Sequence, residues 1–190
     1  MARIEDLADI YGQHLATPWQ RTVAGAQRVI MVAYDKELDR VLRARKGEFE
    51  TRTRAAGHDW HEIDVTACFA TWLAGDDYRE AFFKNPMALT PKIHPESGEF
   101  LGHVARQLSA VLTAPDVTDN AVVALFGVTS LFGFARVSRL LETVERDIRG
   151  RLVVFFPGHF EQNNYRLLDA RDGWNYMAVP ISMQGTGGAA

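Results

Sequence analysis

The chain has 190 residues, of which 47% are hydrophobic and 24% charged, as is ordinary for a globular protein with one core. Its formal net charge of −3 gives no general attraction to nucleic acid, and no apolar run approaches the roughly 18 to 20 residues of a membrane span. The lone cysteine, Cys68, excludes an internal disulfide framework, and residues 1–6 are too charged for a secretory signal.

Apolar periodicity predicts alternating helices and strands in the first half of the chain. The first helix ends before Pro18 and has one apolar face: Ile4, Leu7, Ile10, Tyr11 and Leu15. Arg28–Tyr34 is nearly continuous in apolar residues, which is typical of a central strand. An amphipathic helix then runs toward Gly57, and Trp60–Val65 predicts a second, shorter strand.

Three further apolar runs predict strands in the second half, namely Ala121–Phe126, Arg151–Phe156 and Trp174–Val179. Short helices over 66–75 and 77–82, a proline-containing loop over 85–98 and a long helix up to Leu112 precede the first run. A helical stripe from Val137 to Ile148 separates the first two runs, and a polar loop separates the last two.

This order predicts a three-layer α/β domain with a mostly parallel five-stranded sheet flanked by helices. The domain spans residues 1–182, including the N-terminal helix, and residues 183–190 are predicted to form a mobile tail. Ligands and partners of such sheets meet the carboxyl ends of the strands. Those ends are predicted at 34–35, 64–66, 127–133, 157–158 and 180.

The strand pattern resembles nucleotide-binding folds, but the residues that hold phosphate are missing. A phosphate loop needs glycines, a lysine and a hydroxyl, whereas the turn after the first strand reads Tyr34-Asp35-Lys36-Glu37. The third strand ends in Leu125-Phe126-Gly127, without an acidic group for magnesium. The sequence therefore predicts no cofactor, and a degenerate nucleotide-binding module stays a third hypothesis.

Four polar side chains around the second strand form the candidate metal site: His58, His61, Glu62 and Asp64. Strand alternation sends the two histidines to opposite faces, and that geometry does not close a tetrahedral site. We therefore interpret this segment as a polar strand edge and expect no metal.

Ser130, His159 and Asp169 form a candidate catalytic triad. The nucleophile elbow places glycines two residues to either side of the serine, whereas Gly127 and Gly133 stand three residues away. We therefore expect Ser130 to cap a helix or turn, and we expect no catalytic residues.

One helix supplies a candidate nucleic-acid contact through six cations: Arg40, Arg43, Arg45, Lys46, Arg52 and Arg54. Asp39, Glu48 and Glu50 lie among them, which is typical of a solvated face of mixed charge. No aromatic residues interleave with the cations as a single-strand groove requires. Nucleic-acid binding through this helix is the alternative function.

The segment Gly158–Asn175 is dense in amides, aromatic rings and charge, and it follows a buried strand. Such a loop braces the sheet, forms a recognition surface, or does both. The strands that end at Phe126 and Phe156 are joined by one helix, so their following loops share one rim. Tyrosine, tryptophan and arginine dominate interface energies. The predicted partner-binding face is Leu131, Phe132, Phe134, Tyr165, Arg166 and Trp174.

The C-terminal third resembles BrxB, the small protein of BREX phage-exclusion systems. The motifs that carry the resemblance are Ser130-Leu-Phe-Gly-Phe134, the helix over 136–149, Gly150-Arg-Leu-Val-Val-Phe-Phe-Pro-Gly158, Asn164-Tyr-Arg-Leu-Leu-Asp169 and Gly173-Trp-Asn-Tyr176. The resemblance extends to Tyr34-Asp35-x-x-Leu38 and to the chain length, and so covers most of the chain.

The resemblance implies a non-enzymatic, cytoplasmic accessory subunit of a bacterial antiphage system. Such systems combine a DNA methyltransferase, a large ATPase and PglZ, an alkaline-phosphatase-like protein. BrxB-like proteins are expected to associate with PglZ, and other BREX components are further candidate partners. No catalytic residues of the family transfer to this chain.

We predict that the protein neither hydrolyses ATP nor binds it in the presence of magnesium, because the phosphate-cradling residues are absent. Calorimetric titration with ATP and magnesium tests this prediction, and micromolar binding would contradict it.

Overall fold

The structure is a computed structural model that describes residues 4–20, 22–168 and 173–183. Its α-helices are Ile4–Ala16 (α1), Asp39–Ala44 (α2), Lys46–Ala55 (α3), Cys68–Ala74 (α4), Arg79–Lys84 (α5), Glu99–Leu112 (α6) and Val137–Val144 (α7). Its strands are Val29–Tyr34 (β1), Asp59–Asp64 (β2), Ala121–Phe126 (β3), Arg151–Glu161 (β4), Asn164–Leu167 (β5) and Val179–Ile181 (β6). Short 3-10 turns lie at Gly25–Arg28, Lys36–Leu38, Pro86–Leu89, Val128–Leu131 and Glu145–Asp147.

The described strands form one mostly parallel sheet, as the alternation of helices and strands predicts. The order is β2-β3-β4-β1-β6, and every pair along this path is parallel. β5 lies off the path and pairs antiparallel with the end of β4. The three-layer α/β prediction is confirmed, because helices cover both faces of the sheet.

Alternating side chains of the buried strands fill two separate cores. Val29, Met31 and Ala33 of β1 point to the face that α6 and α7 cover. Ile30, Val32 and Tyr34 point to the other face, which α1 and α3 cover. β1 and β3 are buried along their whole length, and this explains why both read as continuous apolar runs.

Two strand predictions in the last third were wrong. β4 does not end at Phe156 but continues to Glu161, and the predicted polar loop contains β5. The fifth parallel strand lies at Val179–Ile181 rather than over 174–179. Trp174 forms only a single bridge to Tyr165, and Met177 is 77% exposed, so the chain reaches the edge of the sheet later than its apolar residues suggest.

Two smaller differences concern the helix before Gly57 and the end of the chain. The predicted helix is divided at Arg45, where α2 ends and α3 begins. Of the predicted tail only Met183 belongs to the described residues. Within the described ranges, no helix is both long and apolar enough to cross a bilayer.

The N-terminal helix is fixed to the sheet by a buried polar contact. Tyr11 is fully buried on α1, and its hydroxyl lies 2.7 Å from the Thr53 hydroxyl on α3. Thr53 also donates to the Phe49 carbonyl oxygen at 2.8 Å, so Tyr11 donates to Thr53. The Tyr11 ring meets the Phe49 ring edge-on at 5.4 Å, and Phe49 packs in the same way against Phe155 of β4.

We expect Tyr11→Phe to lower the free energy of unfolding by about 1 kcal/mol, because one buried hydrogen bond is lost while the ring packing remains. Urea denaturation measures the change. Tyr78→Phe is the matched control, since Tyr78 is 69% exposed and should unfold like the unmodified protein. Equal stability of the Tyr11→Phe variant would show that this bond does not fix α1.

Candidate functional site at the carboxyl edge of the sheet

The carboxyl ends of β1 and β4 form a crevice because their following segments leave to opposite faces. The chain after β1 enters α2 and α3, whose Phe49 packs on the α1 face. The chain after β4 packs Tyr165 and Leu167 on the α6–α7 face. β1 and β4 are neighbours in the sheet, with Tyr34 opposite Pro157. Such divergence marks the place where open α/β sheets bind ligands.

A cleft of about 480 Å³ occupies this position. Its lining comes from the ends of β1, β4 and β6: Ala33, Tyr34, Asp35, Glu37, Leu38, Gly158, His159, Phe160, Glu161, Ser182 and Met183. Part of the lining is apolar, and the carboxylates of Asp35, Glu37 and Glu161 also belong to it. Among the described residues, neither a lysine nor an arginine contributes to the lining, so the cleft is acidic.

The turn after β1 presents carboxylates where a phosphate loop would present N–H groups. Asp35 Oδ1 accepts a hydrogen bond from the Glu37 backbone N–H at 3.0 Å. The Tyr34 hydroxyl donates to Asp39 Oδ1 at 2.7 Å. Burial, together with Asp39, raises the pKa of Tyr34 and keeps this hydroxyl a donor. The carboxylates of this turn therefore repel phosphate and attract cations.

The second wall of the cleft is a hairpin formed by the end of β4 and by β5, and we call residues 158–167 the hairpin. Gln162 and Asn163 form its two-residue tip with φ of 51° and 62°, as a primed turn requires. At its base, a Cβ on Gly158 would lie 2.0 Å from the Arg166 carbonyl oxygen. Glycine at this position allows the two strands to approach each other.

A cluster of aromatic rings braces the hairpin from the face opposite α1. Tyr165 is fully buried, and its ring centroid lies 4.6 Å from that of Phe160 and 5.3 Å from that of Trp174. The backbone N–H groups of Tyr165 and Trp174 each donate to the carbonyl of the other residue. The Tyr165 hydroxyl donates to the Ala178 carbonyl oxygen at 3.3 Å, and burial raises its pKa. The hairpin is therefore held in one position.

The structure corrects part of the predicted partner-binding face. Leu131 and Tyr165 are fully buried, so their side chains belong to the core and cannot meet a partner. Phe134 is half-buried because its ring stacks on Phe69 at 4.5 Å. Trp174 is also half-buried, whereas Arg166 is exposed and Phe132 is 51% exposed.

The three members of the candidate triad have separate surroundings. The Ser130 hydroxyl donates to the carbonyl oxygens of Gly127 and Val65, at 2.8 and 3.1 Å. The expectation that Ser130 caps a helix or turn was wrong, because Gly127 is the cap residue of the 3-10 turn Val128–Leu131 and Ser130 lies inside it. His159 is exposed on the hairpin and lines the cleft. Asp169 lies outside the described residues.

The polar residues of the candidate metal site each have another partner. His58 contacts Asn120 Oδ1 at 2.8 Å, and His61 lies 3.6 Å from Asp116. Glu62 pairs with Lys46, and Asp64 pairs with Arg43. No group of three or more potential ligands in the described part of the chain is arranged to hold a metal ion.

Five of the six cations predicted as nucleic-acid contacts form ion pairs with carboxylates. Arg43 pairs with Asp64, Arg45 with Glu5, Lys46 with Glu62, Arg52 with Asp9 and Arg54 with Glu50. Arg40 forms no such pair with a described residue. Burial alone would raise the pKa of Asp64, but hydrogen bonds from Thr66 and the charges of Arg43 and Lys46 lower it. The surface of α2 and α3 therefore carries paired charges of both signs and is not a basic patch.

Sequence reasoning missed that Glu37, Glu161 and Met183 belong to one site. The strand-end rule indicated the turn after β1, where Glu37 lies. The apolar run ends at Phe156, so the rule did not indicate Glu161, which lies at the far end of β4 beyond Pro157. Met183 enters the cleft only because β6 pairs with β1.

No protein-family model matches the chain, and no curated protein or solved structure shows significant similarity to it.

We expect Tyr165→Ala to lower the free energy of unfolding by about 3 to 5 kcal/mol, because it removes a buried ring and its hydrogen bond. Arg166→Ala, on the exposed side of the same strand, should change it by no more than about 0.5 kcal/mol. Urea denaturation of both variants tests the brace, and equal stabilities would show that Tyr165 does not hold the hairpin.

Proposed function

We propose that the protein is a non-enzymatic accessory subunit of a BREX antiphage system, and that it binds the PglZ-like component in the cytoplasm. The sequence resemblance to BrxB supports this assignment. The structural observation that supports binding is the braced hairpin at the carboxyl edge of the sheet, with the exposed side chains of His159, Glu161 and Arg166.

Rigidity is the physical reason why the hairpin suits recognition. Buried Tyr165 and half-buried Trp174 fix its backbone from one side before any partner arrives. Association then loses little conformational freedom in this segment, so more of the contact energy appears as affinity. The 3-10 turn Val128–Leu131 packs against β4 nearby, and exposed Phe132 directly follows it. We therefore place the binding face on the hairpin and this turn.

The nucleic-acid alternative is less favoured, because five of the six candidate cations already have carboxylate partners. Phosphate contacts would have to replace those ion pairs, and replacement reduces the electrostatic gain of binding. The acidic cleft beside the hairpin would also repel a phosphate backbone.

We expect Arg166→Ala and Phe132→Ala each to weaken the capture of a purified PglZ-like partner, by about tenfold or more if they are hot spots. Matched controls are Arg54→Ala and Phe83→Ala, which change exposed residues elsewhere. Biolayer interferometry measures the affinities, and melting curves exclude unfolding.

If the unmodified protein captures the partner and both variants bind it with the same affinity, this face is removed from the proposal. Failure of the unmodified protein to capture any PglZ-like partner from its own operon would contradict the proposed function itself.

A further inference from the structure

The acidic cleft has features that the proposed function does not use. The carboxylates of Asp35, Glu37 and Glu161 line it together, and none of them forms an ion pair with a described residue. On α2 and α3, by contrast, cations and carboxylates are paired, as the contacts of Arg43, Lys46 and Arg54 demonstrate. Because these carboxylates lie together in a concave, partly apolar cleft, they create an electric field that attracts cations.

The shape of the cleft favours a long cationic side chain over a bare metal ion. The described residues offer no group of ligands arranged for a metal. Leu38, Phe160 and Met183 add apolar surface to the lining that the carboxylates share. Lysine and arginine pack their aliphatic stems along such surfaces while their charged ends reach carboxylates. The volume of about 480 Å³ lies within the range of about 300 to 1,000 Å³ that is usual for small-molecule sites.

We infer that the cleft between the carboxyl ends of β1, β4 and β6 is the docking site for a lysine- or arginine-containing segment of the partner protein. The hairpin is one wall of this cleft, so the segment would enter beside the proposed partner-binding face. The identity of that partner as a PglZ-like protein rests on the proposed function. The charge complementarity of the cleft does not depend on that identity.

The test compares two triple variants with the same change in charge. The cleft variant is Asp35→Asn, Glu37→Gln and Glu161→Gln, and the amide oxygen that replaces the Asp35 carboxylate can still accept from the Glu37 N–H. The control variant is Asp77→Asn, Glu80→Gln and Asp119→Asn, which changes exposed residues that do not line the cleft. Urea denaturation establishes that both variants fold.

The first measurement uses a fluorescein-labelled peptide of alternating lysine and leucine, an acidic peptide with glutamate for lysine, and spermine as a competitor. We expect the basic peptide to bind the unmodified protein and the control variant, and to bind the cleft variant about tenfold more weakly. Fluorescence anisotropy at low and moderate salt gives the dissociation constants. Equal binding to all three proteins, no preference over the acidic peptide, or binding of spermine alone would overturn the inference.

The second measurement repeats the capture of the PglZ-like partner with the same variants. Loss of capture only in the cleft variant supports the inference. Equal capture by all three proteins overturns the cleft as the docking site of this partner but leaves the proposed function intact. If the unmodified protein captures no PglZ-like partner, the proposed function fails, and the peptide measurement alone decides about the cleft.

Discussion

The parallel pairing of β1 with β4 is the constraint on which the rest of the structure depends. It runs from Val29 opposite Leu152 to Tyr34 opposite Pro157, and it joins segments about 120 residues apart. Both strands bury side chains on both faces, so the pairing supports the two cores together. Because the register also places the turn at Asp35 beside Gly158, the same hydrogen bonds that build the sheet position the two walls of the cleft.

Charge is distributed in two different ways over this framework. On α2 and α3, cations and carboxylates alternate and form ion pairs, and such exposed pairs contribute little stability. At the cleft, carboxylates gather without described cationic partners, and the turn after β1 has Asp35 and Glu37 in place of a phosphate cradle. The position where nucleotide-binding α/β sheets hold phosphate has the opposite electrostatic preference in this protein, since it favours a cation over a phosphate.

The aromatic residues of the hairpin illustrate how stability and recognition divide within a short segment. Tyr165 uses its ring, its hydroxyl and both backbone groups inside the protein, so it stabilises the hairpin rather than meeting a partner. Its neighbour Arg166 is exposed on the other side of the same strand, because successive strand residues point to opposite faces. Interface residue types alone therefore do not identify an interface.

The sequence by itself determined the layered α/β class, the buried strands β1 and β3 and the absence of a phosphate loop, because these depend on local periodicity and on residue chemistry. The position of β6 depended on long-range pairing with β1. The extension of β4 beyond Pro157 and the existence of β5 depended on a local hairpin, in which the polar segment Asn164–Leu167 pairs with the end of β4 without an apolar pattern to indicate it. The acidic cleft was likewise decided only by the tertiary structure. Its lining residues lie in three separate parts of the chain, and backbone hydrogen bonds between distant strands bring them together.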